Sequence, residues 1–322
     1  MPPRSRACSS ARPRPHRVAV FTVCVVTLPP ALPCATWHDS WWRLQADAGR
    51  PCPWQSLCNE RMGWRVKRPK TRGARDLAAG TIGQAIVHLK RTTSTNDVAA
   101  DLARRGAAEG TLVIADEQTA GRGRRGHAWL APPRRSLLCS LILRPMLPAA
   151  RLPRLTMLAA LACARAIQGL GLPATIKWPN DILINGRKVG GILAEADFAG
   201  DRLNHVVVGI GINVNVEQAD LTAISPQATS LAIEAGRRLS RWHLLRLLLA
   251  EFAVRYESML QDEGQAVYKE WAQCLDTLGR DVTVTGHFGA LCGRAESVDA
   301  DGGLFIRRNS GELVRVTFED VG

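Results

Sequence analysis

Gln118-Thr119-Ala120-Gly121-Arg122-Gly123-Arg124-Arg125-Gly126-His127-Ala128-Trp129 interleaves three glycines with three arginines and closes on a tryptophan. The spacing Gly121, Gly123, Gly126 is formally a dinucleotide-binding fingerprint, but that fingerprint must leave a strand and open a helix. A strand does precede it, at Thr111–Glu117, yet Trp129-Leu130-Ala131-Pro132-Pro133 follows and cannot start a crossover helix. A phosphate-binding loop of the Gly-Lys-Ser/Thr kind is excluded too, because that tripeptide is missing from the stretch. What remains is a loop suited to anions. Glycines allow close backbone approach and unusual dihedrals, exposed N–H groups take phosphate or carboxylate oxygens, and arginines add fixed charge and forked donors. A solvated basic turn is the plainer alternative.

Three further clusters lie downstream. Lys177-Trp178-Pro179-Asn180-Asp181 sits between two expected strands, and Asn-Asp after proline favours a tight turn. Lys188 follows the hairpin turn at Gly186 and precedes the strand Gly190-Gly191-Ile192-Leu193; a solvated hairpin lysine is the alternative there. Gly209-Ile210-Gly211-Ile212-Asn213-Val214-Asn215 is a strand interrupted by glycine, which suggests close approach of a ligand or another backbone.

Around these clusters the period of the apolar residues alternates between strand and helix. Strands are expected at Ala85–Leu89, Thr111–Glu117, Ser136–Leu143, Thr175–Trp178, Ile182–Ile184, Gly191–Ala196 and His205–Ile212. Helices are expected from the cap cluster Ser94-Thr95-Asn96-Asp97 to about Arg105, then over Leu152–Leu170, Ser240–Leu260 and Ala266–Cys274. From Asp281 the pattern is short alternating strands with turns at Asp301-Gly302-Gly303 and Ser310-Gly311, a small all-β module. The fold class is α+β: a mixed sheet with flanking helices, followed by the small β-module.

Ser94-Thr95-Asn96, the Gly121–Trp129 loop, the Lys177–Asp181 turn, Lys188 with its Gly-Gly-Ile-Leu strand and Gly209–Asn213 occur in the order found in biotin–protein ligases. The chain resembles the single-function form of that family over about residues 84–322; lipoate ligases share the fold but not the loop and Lys-Trp-Pro-Asn-Asp turn together. The resemblance implies a core like that of class II aminoacyl-tRNA synthetases and a C-terminal SH3-like barrel, with a catalytic domain over 81–276 and the barrel over 277–322. It implies a two-step reaction with biotin and ATP as substrates. Biotinyl-5′-adenylate forms first, and biotin then passes to a lysine of a biotin carboxyl carrier protein. No enzyme nucleophile is needed, so catalysis is positioning and charge neutralisation.

By the same resemblance, Ser94, Thr95 and Asn96 line the biotin pocket, and Gln118, Arg122, Gly123 and Arg124 bind biotin and the acyl phosphate. Arg124 holds the adenylate, Lys188 neutralises charge at the carboxylate and phosphate, and Asp181 orients or deprotonates the incoming amine. Asn180, Asn213, Gly121 and Arg125 contact the nucleotide, and Trp129 packs beside adenine. His127 departs from the family, whose loops often carry a permanently basic residue there. A histidine is neutral for much of the time near pH 7, which implies weaker ATP binding or pH-dependent activity. Mg²⁺ is implied by ATP, with no protein cage for it: Asp and Glu are not grouped in metal spacing. A bifunctional ligase and operon repressor, and a lipoate-type acyl ligase of the same fold, are the competing functions.

The net charge of +13 divides unevenly. Residues 1–80 hold 14 Lys and Arg against 4 Asp and Glu, with 10 of the 18 prolines and 5 of the 9 tryptophans. The remainder is close to neutral, so the basic balance does not make this a nucleic-acid binder. Three readings of residues 1–80 stand side by side. Arg4–Arg17 followed by the apolar Val18–Leu28 outlines a secretion signal, but one at odds with chemistry that needs ATP. A winged helix would need helix–turn–helix periodicity, which is missing. Translated leader ahead of a later start, at Met62 or a non-Met codon, is the reading preferred. Cys139, Cys163, Cys274 and Cys292 show no metal or disulfide spacing, so buried reduced thiols in a cytoplasmic protein are expected. Neither DNA nor a membrane is an expected partner, and the oligomeric state, a homodimer included, is left open.

Overall fold

Ser136–Leu143 (β3), SLLCSLIL, is buried at every position. A strand covered on both faces reads as a mostly apolar run rather than an alternation, and β3 is accordingly an interior strand of the main sheet, between β2 and β7. The computed structural model describes residues 81–286, 289–317 and 320–321; the extension 1–80, with its three readings, lies outside them.

The remaining strands of this sheet are β1 (Ile86–Leu89), β2 (Leu112–Ala115), β4 (Ala174–Lys177), β5 (Asp181–Ile184), β6 (Arg187–Ala199) and β7 (Arg202–Asn213). They run in the order β1-β2-β3-β7-β6-β5-β4. Only β1 and β2 are parallel, Ile86 opposite Leu112, and parallel neighbours need a crossover. Helix α1 (Thr95–Arg104) supplies it, packing Ala99 and Ala103 on Val113, Ile142 and Val207. The opposite face carries α2 (Pro153–Gln168), with proline in its first turn. Twelve of its 16 residues are buried, as expected of a helix apolar nearly all round. Outside it lie α5 (Arg241–Asp262) and α6 (Gln265–Gln273), which contribute Leu248, Phe252 and Trp271 to the same core.

β6 and β7 extend beyond the expected Gly191–Ala196 and His205–Ile212, forming a long hairpin that turns at 200–201. Its distal half is polar and exposed, so the apolar signal stops before the backbone pairing does. Two short helices, α3 (Gln218–Ile224) and α4 (Leu231–Ala235), were not expected. They span 7 and 5 residues, less than the apolar period needs. Local cap signals do mark α4: Ser230 accepts from the Ile233 amide at 3.4 Å, and Gly236 is left-handed at φ 64°.

The C-terminal strands β8 (Asp281–Gly286), β9 (Gly289–Val298), β10 (Leu304–Arg307), β11 (Leu313–Val316) and β12 (Asp320–Val321) make a second, antiparallel sheet in the order β11-β10-β9-β8-β12, consistent with an SH3-like module. The linker before it docks on the exposed edge of β4: Ile176 donates to Cys274 O at 2.9 Å and Asp276 to Ile176 O at 2.8 Å. Cys139 and Cys163 are buried free thiols, with Cys139 pushed up to about 12 by burial, whereas Cys274 is only half-buried and Cys292 is exposed. Among the described residues no helix is long and apolar enough to cross a membrane.

Candidate active site

Gly209 and Gly211 lie two apart on β7 and so share one face of the sheet. A methyl group at Gly209 would sit 2.2 Å from Asn96 Oδ1, and one at Gly211 2.6 Å from the Trp129 ring. The close approach foreseen at these glycines is therefore made by two protein side chains, one from α1 and one from the arginine loop. Gly209→Ala is expected to cost about 1–3 kcal/mol, as for overpacked cores, read by denaturant unfolding. A loss within measurement error would mean that Asn96 moves aside freely.

The loop folds back on itself instead of opening a helix. Trp129 N donates to Gly121 O at 2.8 Å and Gly123 N to His127 O at 2.7 Å. Arg125 and Gly126 turn the tip at φ 51° and 78°. A side chain at Gly121 would meet Trp129 O at 2.5 Å and Gln118 Nε2 at 2.8 Å, so this glycine closes the loop stem.

Each arginine has a different partner. Arg122 donates to Asp97 at 2.6 Å and lies 3.2 Å from Glu195. The Asp97 hydrogen bond, then Glu195, hold its guanidinium above the usual range against some desolvation. Arg124 donates to Asn180 Oδ1 at 3.1 Å. Arg125 reaches the small module, donating to Thr285 O at 3.1 Å.

The Lys177–Asp181 turn contains a cis Trp178–Pro179 bond. Trp178 is buried; its ring N–H donates to Gly302 O at 2.8 Å and its amide to Thr277 Oγ1 at 2.9 Å. Asn180 donates to Ile192 O at 2.8 Å. Lys188 Nζ is 2.7 Å from Asp181 Oδ1. Lys188 is half-exposed, and it pairs across the β5–β6 hairpin with the turn rather than standing alone.

Ser94 stands at the N-cap of α1 in extended conformation but makes no side-chain cap bond. Instead the cap cluster faces the cleft. Gln118 Oε1 accepts from Thr95 N at 2.7 Å and Thr95 Oγ1 at 2.9 Å. Ser140 Oγ lies 2.6 Å from Asn96 Oδ1 and 2.7 Å from Thr95 Oγ1.

One cleft of about 270 Å³ gathers Ser94, Thr95, Asn96, Gln118, Arg122, Gly123, Arg124, His127, Trp129, Asn180, Asp181 and Lys188. Three residues expected at the site are placed elsewhere. Gly121 is in the stem of the loop. Arg125 lines an adjoining cavity of about 450 Å³ with Leu152, Pro153, Met157 and Trp271. Asn213 is buried, donating to Thr229 O at 3.2 Å and accepting from Ser136 at 3.3 Å, so its amide ties the end of β7 to the following turn. Lys177 lines the cleft but was given no role, and Glu195, Asp97 and Ser140 were missed. The alternation Gly191, Leu193, Glu195 on β6 was the available signal for Glu195.

A glycine-floored mixed sheet, roofed by an arginine loop and joined to a small β-module, defines the class. Residues 88–213 match the Biotin/lipoate A/B protein ligase family, and the chain belongs to it. Among its relatives, it is 36% identical to the bifunctional ligase/repressor BirA of Bacillus subtilis over 78% of this chain and 79% of that one. It is 37% identical to the biotin–[acetyl-CoA-carboxylase] ligase of Paracoccus denitrificans, over 70% of this chain and 95% of that one. The biotin protein ligase of Aquifex aeolicus, solved with biotin and ATP, superposes with a TM-score of 0.62 at 25% identity, over 74% of this chain and 98% of that one.

Proposed function

We propose that the chain is an ATP-dependent biotin–protein ligase, acting in the cytoplasm on a lysine of a carboxylase's biotin carboxyl carrier protein. The observation that carries this reading is the cleft itself: Lys188 paired with Asp181 at 2.7 Å under the Arg122–Arg124 loop. In the first step a biotin carboxylate oxygen attacks the α-phosphorus of ATP, and the bond to pyrophosphate breaks. Both reactants are anionic, so the chain's contribution is positive charge held in place. Lys188 and Arg124 supply it, Arg124 oriented by Asn180.

Thr95 takes Gln118 Oε1 twice, which leaves Gln118 only its amide donors for biotin. In the second step the carrier lysine's amine attacks the acyl carbon, AMP leaves, and Asp181 orients the amine and takes its proton.

Among the described residues no group of three or more His, Cys, Asp or Glu side chains could hold a metal ion. Mg²⁺ in this reading arrives with the nucleotide as part of the substrate. The catalytic unit is assigned to residues 81–276 and the small module to 277–322, the two meeting where Trp178 contacts Thr277 and Gly302.

The test is incubation with ATP, labelled biotin and a carrier domain, with lipoate in parallel. Biotinyl-adenylate by mass and label on the carrier lysine are expected; lipoyl-adenylate alone would overturn the reading. Arg124→Ala is expected to raise the proportion of adenylate released to solution by about tenfold, the effect of losing one charged donor on the intermediate. An unchanged ratio would remove Arg124 from that role.

A further inference from the structure

Glu195 projects from β6 to a point where two parts of the cleft meet. Its Oε2 accepts from Asn96 Nδ2 at 2.6 Å and lies 3.2 Å from Arg122 Nη2, and Oε1 is also 3.2 Å from that nitrogen. The other end of the Arg122 guanidinium is on Asp97, at 2.6 Å. Asn96 is 4% exposed. Its oxygen is beside the Ser140 hydroxyl and its Cγ–Oδ1 arm is seated over Gly209. A carboxylate only accepts, so it compels the Asn96 amide to present nitrogen to Glu195 and oxygen to Ser140.

We propose that Glu195 is a positioning residue that latches the arginine loop to the wall of the biotin pocket, by tying Arg122 and Asn96 to one carboxylate. An isolated exposed ion pair contributes little. This pair is not isolated: the same carboxylate takes a buried amide, and that amide is next in sequence to Thr95 in the hydrogen-bond chain to Gln118. A loop already held against α1 and β6 loses less freedom when ligand binds beneath it, and such preorganisation raises affinity without touching the reacting atoms. Glu195 is absent from the lining of the cleft, so its influence passes through Arg122 and Asn96. The effect on biotin rests on the ligase reading; the latch does not.

The experiment compares the full chain with Glu195→Gln, Asp97→Asn and, as a surface control, Glu312→Gln. Limited trypsin digestion without ligand, with fragments identified by mass, reads cleavage after Arg122, Arg124 and Arg125. Glu195→Gln and Asp97→Asn each accelerate it about fivefold, as expected of a segment with a lower local opening cost, and Glu312→Gln does not. In steady-state biotin transfer, Glu195→Gln raises KM for biotin about tenfold while kcat stays within about twofold, the pattern of lost binding rather than lost chemistry. A merely structural role would lower the active fraction and leave KM unchanged. Unaltered cleavage in Glu195→Gln would overturn the latch, whatever Asp97→Asn does, and an unaltered KM in Glu195→Gln would overturn the positioning role. A wild-type chain that makes no biotinyl-adenylate would instead fail the ligase reading, while the digestion still decides the latch. If Glu195→Gln does not fold, Glu195→Asp, which keeps the charge but shortens its reach to Arg122 and Asn96, takes its place in both measurements.

Discussion

Lys188→Ala is expected to slow biotinyl-adenylate formation by about 10²–10³-fold, the range seen when one preorganised charge-stabilising donor is removed from an active site. Two consequences add. The phosphoryl oxygens lose a cation held in place before the substrates arrive. Asp181, 2.7 Å from that cation, is left in the cleft without it, a negative charge facing two anionic reactants. The backbone around Lys188 is unaffected by the change: its N–H still donates to Gln227 O at 2.9 Å, and its carbonyl still accepts from Thr229 at 2.8 Å. The unfolding midpoint is therefore expected to stay close to wild type. Rapid-quench measurement of adenylate in a single turnover separates this effect from product release. A loss below tenfold would return Lys188 to the status of a hairpin lysine that happens to face Asp181.

Arg154→Ala is expected to have the largest effect on stability, about 3–5 kcal/mol, from the cavity left by a fully buried side chain and the buried carbonyls left without a donor. Arg154 is fully buried near the start of α2. It donates to Ala300 O at 2.9 Å and to Glu263 O, and it lies 3.3 Å from Asp301. Removing it orphans two carbonyl oxygens and opens a cavity between α2, the α5–α6 junction and the 299–303 turn. Arg154→Met would refill much of the volume but leave both carbonyls unpaired, so only part of the loss is expected to return. Chemical unfolding of the three proteins reads the difference. A cost under about 1 kcal/mol for Arg154→Ala would mean that water replaces the guanidinium. The same 299–303 turn accepts the Trp178 ring N–H at Gly302, so the stability of the small module and the shape of the Lys177–Asp181 turn share a support.

What was legible in the sequence was mostly local. The mostly apolar run of Ser136–Leu143, the periodicity of Leu152–Leu170 and the turns of the C-terminal module depend on dihedral preference and on which face is apolar. Each can be read within a window of a few residues. The arginine loop, the Lys177–Asp181 turn and Lys188 were legible as well, because glycine, proline and charge mark them in the chain itself. The 7- and 5-residue helices α3 and α4 were not, since neither is long enough to set a period.

The pairing of side chains across the fold was decided by tertiary structure. Arg122 had the composition of a ligand contact, and α1 delivers Asp97 and β6 delivers Glu195 to it from 25 and 73 positions away. Asn213 ended a polar strand terminus, and the turn at Thr229 draws its amide inward. Arg154 stands near the start of a helix that is buried nearly all round, and Ala300 and Asp301, about 146 positions on, supply its partners. The glycines of β7 announced a close approach but not its author, which proved to be Asn96 and Trp129. The physical reason is common to all four. A residue's conformation is set by its neighbours in the chain, whereas its hydrogen-bond partner is set by which distant segments pack within about 3 Å of it. The sequence by itself thus determined the longer elements, the loop and the family resemblance; only packing decided which distant groups each charged side chain of the site engages.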